Sequence, residues 1–117
     1  MNKKLKIIFE KLNREYWGGK LPLINLVISG TLSEDTLGEY FFPKNKDEDC
    51  YDNYCIKLSN QLSKSEIRDT LLHEMVHHSQ FLKHKQKYWK KRLSWHGKFW
   101  KEEMRRVGFK GKINRYT

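Results

Sequence analysis

The chain has 117 residues, with 24 Lys and Arg against 14 Asp and Glu for a formal net charge of +10; 38% of its residues are hydrophobic and 14% aromatic. That length suits one domain over 1–117 with a modest core and a single site, and the composition implies a core built on Trp, Tyr and Phe more than on aliphatics. No apolar run approaches the length of a membrane span and the first residues lack an apolar signal core, so the expectation is a soluble, cytoplasmic protein with no membrane partner.

Leu5, Ile8, Phe9, Leu12 and Tyr16 recur at helical spacing and predict an amphipathic helix over about 3–16, ended by Gly18-Gly19. Three short strands follow: 23–29 is apolar and partly β-branched, 36–42 carries aromatics, and 54–58 alternates. Between the second and third strands, 43–53 holds Asp47, Glu48, Asp49 and Asp52 and reads as an exposed loop of solvated charge. Cys50 and Cys55 are the only cysteines, and both are expected to be free thiols.

Ser63-Lys64-Ser65-Glu66 fits a capping box that starts a helix running past Leu82. Ile67, Leu71, Met75 and Phe81 would face the core, with Leu72 and Val76 at the margin. Inside this helix lies His73-Glu74-Met75-Val76-His77, an HExxH sequence. Histidines four apart sit one above the other on a helix face and can converge on one metal ion. Glu74 projects about 100° away, where a carboxylate can take a proton from a metal-activated water without occupying a coordination position. Catalytic zinc usually has three protein ligands and an open position, and His96, nineteen residues after His77, supplies the third candidate. The bland alternative is a helix whose histidines are satisfied core residues. His84 falls about 10 Å beyond His77 if the helix continues, and His78 is rotated off the face toward the surface or a substrate. Phe99, Trp100, Met104 and Val107 give a last helix an apolar face, with Gly108 as its cap.

These residues resemble the SprT-like zinc metallopeptidases, which include the Spartan-type DNA–protein crosslink proteases. The resemblance rests on HExxH, on the first helix leading into Tyr16-Trp17-Gly18-Gly19-Lys20-Leu21-Pro22, and on His96-Gly97-Lys98-Phe99-Trp100, in that order. It implies an α+β, zincin-like minimal metallopeptidase domain: a small three-stranded sheet packed on helices, with the C-terminal helix supplying the third ligand. It further implies one zinc ion (Zn2+) per chain held by His73, His77 and His96, with Glu74 as general base. Many bacterial relatives carry a cysteine-rich zinc ribbon after this domain, and none is found up to Thr117; that bears on targeting and not on the catalytic centre. In zincins generally the strand before the metal helix offers an edge to extended substrate, which would be 54–58 here. Tyr88, His78 and Tyr116 are candidates for a further oxyanion donor.

Charge is unevenly placed. Residues 1–82 balance at −1, whereas 83–117 hold 13 Lys and Arg against 2 Asp and Glu, a balance of +11. Such a segment is the footprint expected for a polyanion, and its interleaving of Lys85, Lys87, Lys90, Lys91 and Arg92 with Tyr88, Trp89 and Trp95 suits single-stranded DNA contacted through 83–115. The same rings would equally pack the connection onto the core. The reading is a zinc metallopeptidase acting on protein or peptide, with DNA as a partner. Its alternatives are a nucleic-acid-binding module with structural zinc, which would be indifferent to Glu74→Gln, and a metallohydrolase that leaves protein intact.

Overall fold

The computed structural model describes residues 1–33, 35–90 and 96–108. Helix α1 (Lys3–Trp17) begins where the Asn2 side chain accepts from the Leu5 N–H at 3.0 Å and ends at Gly18, whose φ of +60° is the left-handed cap that glycine takes without strain. Leu5, Phe9 and Leu12 are its buried stripe. Asn13, buried beside them, closes the following turn: its side chain accepts from the Leu21 N–H and donates to the Leu21 carbonyl, at 3.0 and 2.8 Å.

Strands β1 (Asn25–Ser29), β2 (Gly38–Phe41) and β3 (Cys55–Ser59) form one mixed sheet in the order β1-β3-β2. β3 runs parallel to β1, with Leu26 opposite Ile56, and antiparallel to β2, with Tyr40 opposite Ile56. The expected substrate edge at 54–58 is therefore corrected: that strand is central, with a neighbour on each side. Chain order cannot reveal this, because β2 is added on the far side of a strand that comes after it. Leu26, Tyr40, Ile56 and Leu58 line the buried face of the sheet, against which α2 packs.

Helix α2 (Lys64–Trp89) starts with the expected box: the Ser63 side chain accepts from the Glu66 N–H and the Ser63 N–H donates to the Glu66 carboxylate. Every residue from Thr70 to Phe81 is buried, so Leu72 and Val76 belong to the core and not to its margin. An amphipathic stripe leaves one face to solvent; here the sheet, α1 and α3 (Lys98–Arg106) enclose the middle of α2 on all sides. His84 breaks the helix with φ −131° and ψ 30°, re-aiming its last turns. Two contacts hold the end down: Lys85 to Asp49 at 2.7 Å, and the Trp89 indole N–H to the Pro43 carbonyl at 2.8 Å. The 43–53 stretch is thus an anchored loop built on two short 3-10 turns, and Cys50 and Cys55 are free thiols as expected. Among the described residues, no helix is long and apolar enough to cross a membrane.

Candidate metal centre

His73 and His77 sit on successive turns of α2 with their Nε2 atoms 3.2 Å apart. Two nitrogens at zinc–nitrogen distances of about 2.0–2.1 Å in a tetrahedral arrangement lie about 3.3 Å apart, so the pair already has the spacing of two ligands on one ion. His96 comes from the turn just before Gly97, which caps α3. Its ring centroid is 5.7 Å from that of His73 and 5.0 Å from that of His77, and one ring nitrogen from each of the three falls within 4.8 Å of the others. Sequence separation is overcome by packing: Trp100, one turn into α3 and fully buried, sets its indole 4.6, 5.1 and 5.6 Å from the rings of His96, His73 and His77.

Glu74 is fully buried beside this cluster, and neither carboxylate oxygen has a hydrogen-bond partner among the described residues. Burial, with a smaller contribution from the charge of Glu39, pushes its pKa well above the usual carboxylate range. Burying such a group unpaired costs several kcal/mol unless a cation or a proton compensates it. The Nε2 atom of His96 is likewise buried without a partner, and burial lowers the pKa of that ring, favouring the neutral form that ligates metal. Three imidazole nitrogens around one point, next to a buried carboxyl group with no partner among the described residues, fit a bound metal ion.

A model of the SprT-like family matches residues 5–117. The chain belongs to the SprT-like family. No curated protein and no solved structure gives a significant match.

The SprT-like match covers all of the residues singled out from the sequence, and the structure sorts them. His73, His77 and His96 come together; His84 does not, its ring lying 4.8 Å from that of Phe99. The expectation for His78 is corrected. It is fully buried, Nε2 lies 2.9 Å from the Pro22 carbonyl and Nδ1 lies 2.8 Å from the Tyr40 hydroxyl. A carbonyl only accepts, so Nε2 carries the proton and Nδ1 accepts from Tyr40. Both nitrogens are committed inside the protein, which removes His78 as an oxyanion donor; burial lowers its pKa to about 4. Tyr88 is buried against Phe81, and Tyr116 lies outside the described residues.

In the basic segment, Trp89 is used in packing, with its ring against Phe81 and its N–H on Pro43. Residues 91–95, including Lys91, Arg92 and Trp95, and 109–117 lie outside the described residues. Sequence reasoning missed Gly38: a methyl group there would meet Thr70 Cγ2 at 2.8 Å and Glu74 Oε2 at 3.1 Å, so β2 lies directly over the carboxylate. Its place between Leu37 and Glu39 on an aromatic strand was a signal of close backbone approach.

Proposed function

We propose that this SprT-like protein is a zinc-dependent metallopeptidase of the HExxH...H type. The observation that carries the reading is the convergence of His73, His77 and His96 beside the buried, unpartnered Glu74. His73, His77 and His96 would hold the ion. A zinc ion so bound supplies Lewis acidity, making water nucleophilic near neutral pH and stabilising negative charge on the carbonyl oxygen under attack. Glu74 takes the proton from the attacking water and delivers one to the departing amine. Burial moves its pKa upward, the direction an acid–base group near neutral pH requires. Trp100 and the surrounding core hold the three imidazoles in place and keep bulk water from the carboxylate.

The test is Glu74→Gln, which matches the carboxylate in shape but cannot accept a proton. We expect it to keep fold and metal content and to lose about 10²–10⁴-fold in peptide hydrolysis. Undiminished turnover by the folded, metal-loaded variant would remove Glu74 from the mechanism and favour a structural zinc.

We infer DNA, especially single-stranded, as the partner of 83–115, supported by the +11 balance of residues 83–117. The packing of Trp89 shifts the weight of that reading from stacked rings to cations. Binding should fall with salt at a log-log slope of about −0.7 per phosphate contacted on single strands. Reversal of Lys87, Lys90 and Lys91 to Glu should flatten that slope and leave hydrolysis of a small peptide unchanged. Salt-insensitive binding would remove DNA from the proposal, as would no binding at low ionic strength. Cleavage of a DNA-bound protein with and without single-stranded DNA tests whether the two activities are linked.

A further inference from the structure

β2 and α2 meet at two rungs. At the first, the backbone of Gly38 lies so close to α2 that a methyl group would be 3.1 Å from Glu74 Oε2. At the second, the Tyr40 hydroxyl donates to His78 Nδ1 at 2.8 Å. Gly38 and Tyr40 are two residues apart and so share a face of the strand, while Glu74 and His78 are four apart and share a face of the helix. The spacings agree: two strand residues advance about 6.6 Å and four helical residues about 6 Å. The two rungs therefore run side by side, and the second governs how tightly the first closes. Pro22, on the chain entering β1, fixes the far side of the His78 ring through its carbonyl at 2.9 Å, so the imidazole has one tautomer and one orientation. A buried polar bridge of this kind costs stability when half of it is removed. The burial of these groups therefore implies a requirement that an apolar contact would not meet, namely a fixed distance and direction between strand and helix.

We propose that the Tyr40–His78 hydrogen bond, anchored on Pro22, is a positioning device for the Glu74 carboxylate, holding β2 against α2 so that Gly38 fixes where that carboxylate can lie. Tyr40 and His78 act through the strand and touch no reacting atom. The inference rests on Glu74 as the general base.

The experiment compares zinc-loaded wild type with Tyr40→Phe, His78→Phe and His78→Gln, the last of which can still accept from Tyr40 and donate to Pro22. Three readouts are taken: bound zinc per chain, kcat and KM on a fluorogenic peptide, and backbone amide exchange over β2. For Tyr40→Phe and His78→Phe we expect kcat to fall about 10–100-fold, the scale of a general base displaced by a fraction of an ångström to 1 Å. KM and zinc content should stay unchanged, exchange over 38–41 should rise, and His78→Gln should recover most of the loss. Unchanged kcat in folded Tyr40→Phe overturns the proposal, as does a loss of kcat matched by loss of zinc, which would make the bridge a support for the metal ligands. If wild type hydrolyses no peptide, the reading of Glu74 as a base fails by itself. Amide exchange still judges the bridge: unaltered protection over 38–41 in Tyr40→Phe overturns it. His78→Phe serves where Tyr40→Phe does not fold.

Discussion

His77 and His78 are neighbours on one helix, both almost completely buried, and they meet opposite fates. His78 faces the sheet and finds two oxygen partners, Tyr40 and Pro22, so its ring is closed to outside chemistry. His77 faces α3 and finds nitrogen: Nε2 of His73 at 3.2 Å and the ring of His96. Burial is the same, so burial does not separate a structural histidine from a candidate ligand. What separates them is the chemistry of the partner. Oxygen atoms on both sides close an imidazole, whereas ring nitrogens gathered at one point suit something that accepts electron pairs from all of them.

Exchanging alanine for each neighbour gives the widest contrast. His77→Ala should abolish stoichiometric zinc binding and with it hydrolysis, while His78→Ala should keep zinc in whatever fraction folds; elemental analysis of the purified variants reads both. Zinc retained by His77→Ala would show that the two faces do not differ as described. His96→Ala sharpens the same side of the comparison. It removes one of three donors while leaving the pair on α2, so zinc should be retained far more weakly, and a chelator titration against wild type measures the difference.

On the sheet side, Gly38→Val should destabilise the fold by about 1–3 kcal/mol, because the added Cβ would meet Thr70 Cγ2 at 2.8 Å and Glu74 Oε2 and Leu58 Cδ2 at 3.1 Å, so buried side chains must shift. Denaturant midpoints measure this. His78 also makes stability depend on pH. Its folded pKa, near 4, lies below its unfolded value of about 6.5, so the unfolded chain binds the proton more tightly. The contribution is fully present above about pH 6.5 and is lost as pH falls from there to about 4, up to about 3 kcal/mol in all. The part of the acid loss missing from His78→Phe isolates it. Lys85→Met, which cuts the half-exposed pair with Asp49, should cost least, about 0–1 kcal/mol.

The candidate-ligand side of α2 could be read from the sequence because its determinants are local: spacing within one helix, a capping box four residues wide, and a third histidine placed before a returning helix. The SprT-like resemblance carried the same three positions. The sheet side could not. The partner of His78 is 38 residues away on β2, and β2 reaches α2 only because β3 takes the centre of the sheet, an order that strand periodicity does not encode. Leu72 and Val76 were misplaced for a related reason: periodicity identifies a stripe but is silent when three neighbours enclose a helix. In the basic segment, the pattern of rings and cations was legible, and whether Trp89 faced solvent depended on a carbonyl at Pro43.

Trp100 has a consequence in light emission. Its indole lies about 5 Å from each of the three candidate ligand rings, so an ion seated among them would be close to a fluorophore walled off from water on all sides. Cobalt(II), which absorbs visible light and accepts the coordination that zinc does, would darken that residue's emission on entering, and zinc would restore it on displacing cobalt. The chain thus carries its own gauge of whether the centre is filled.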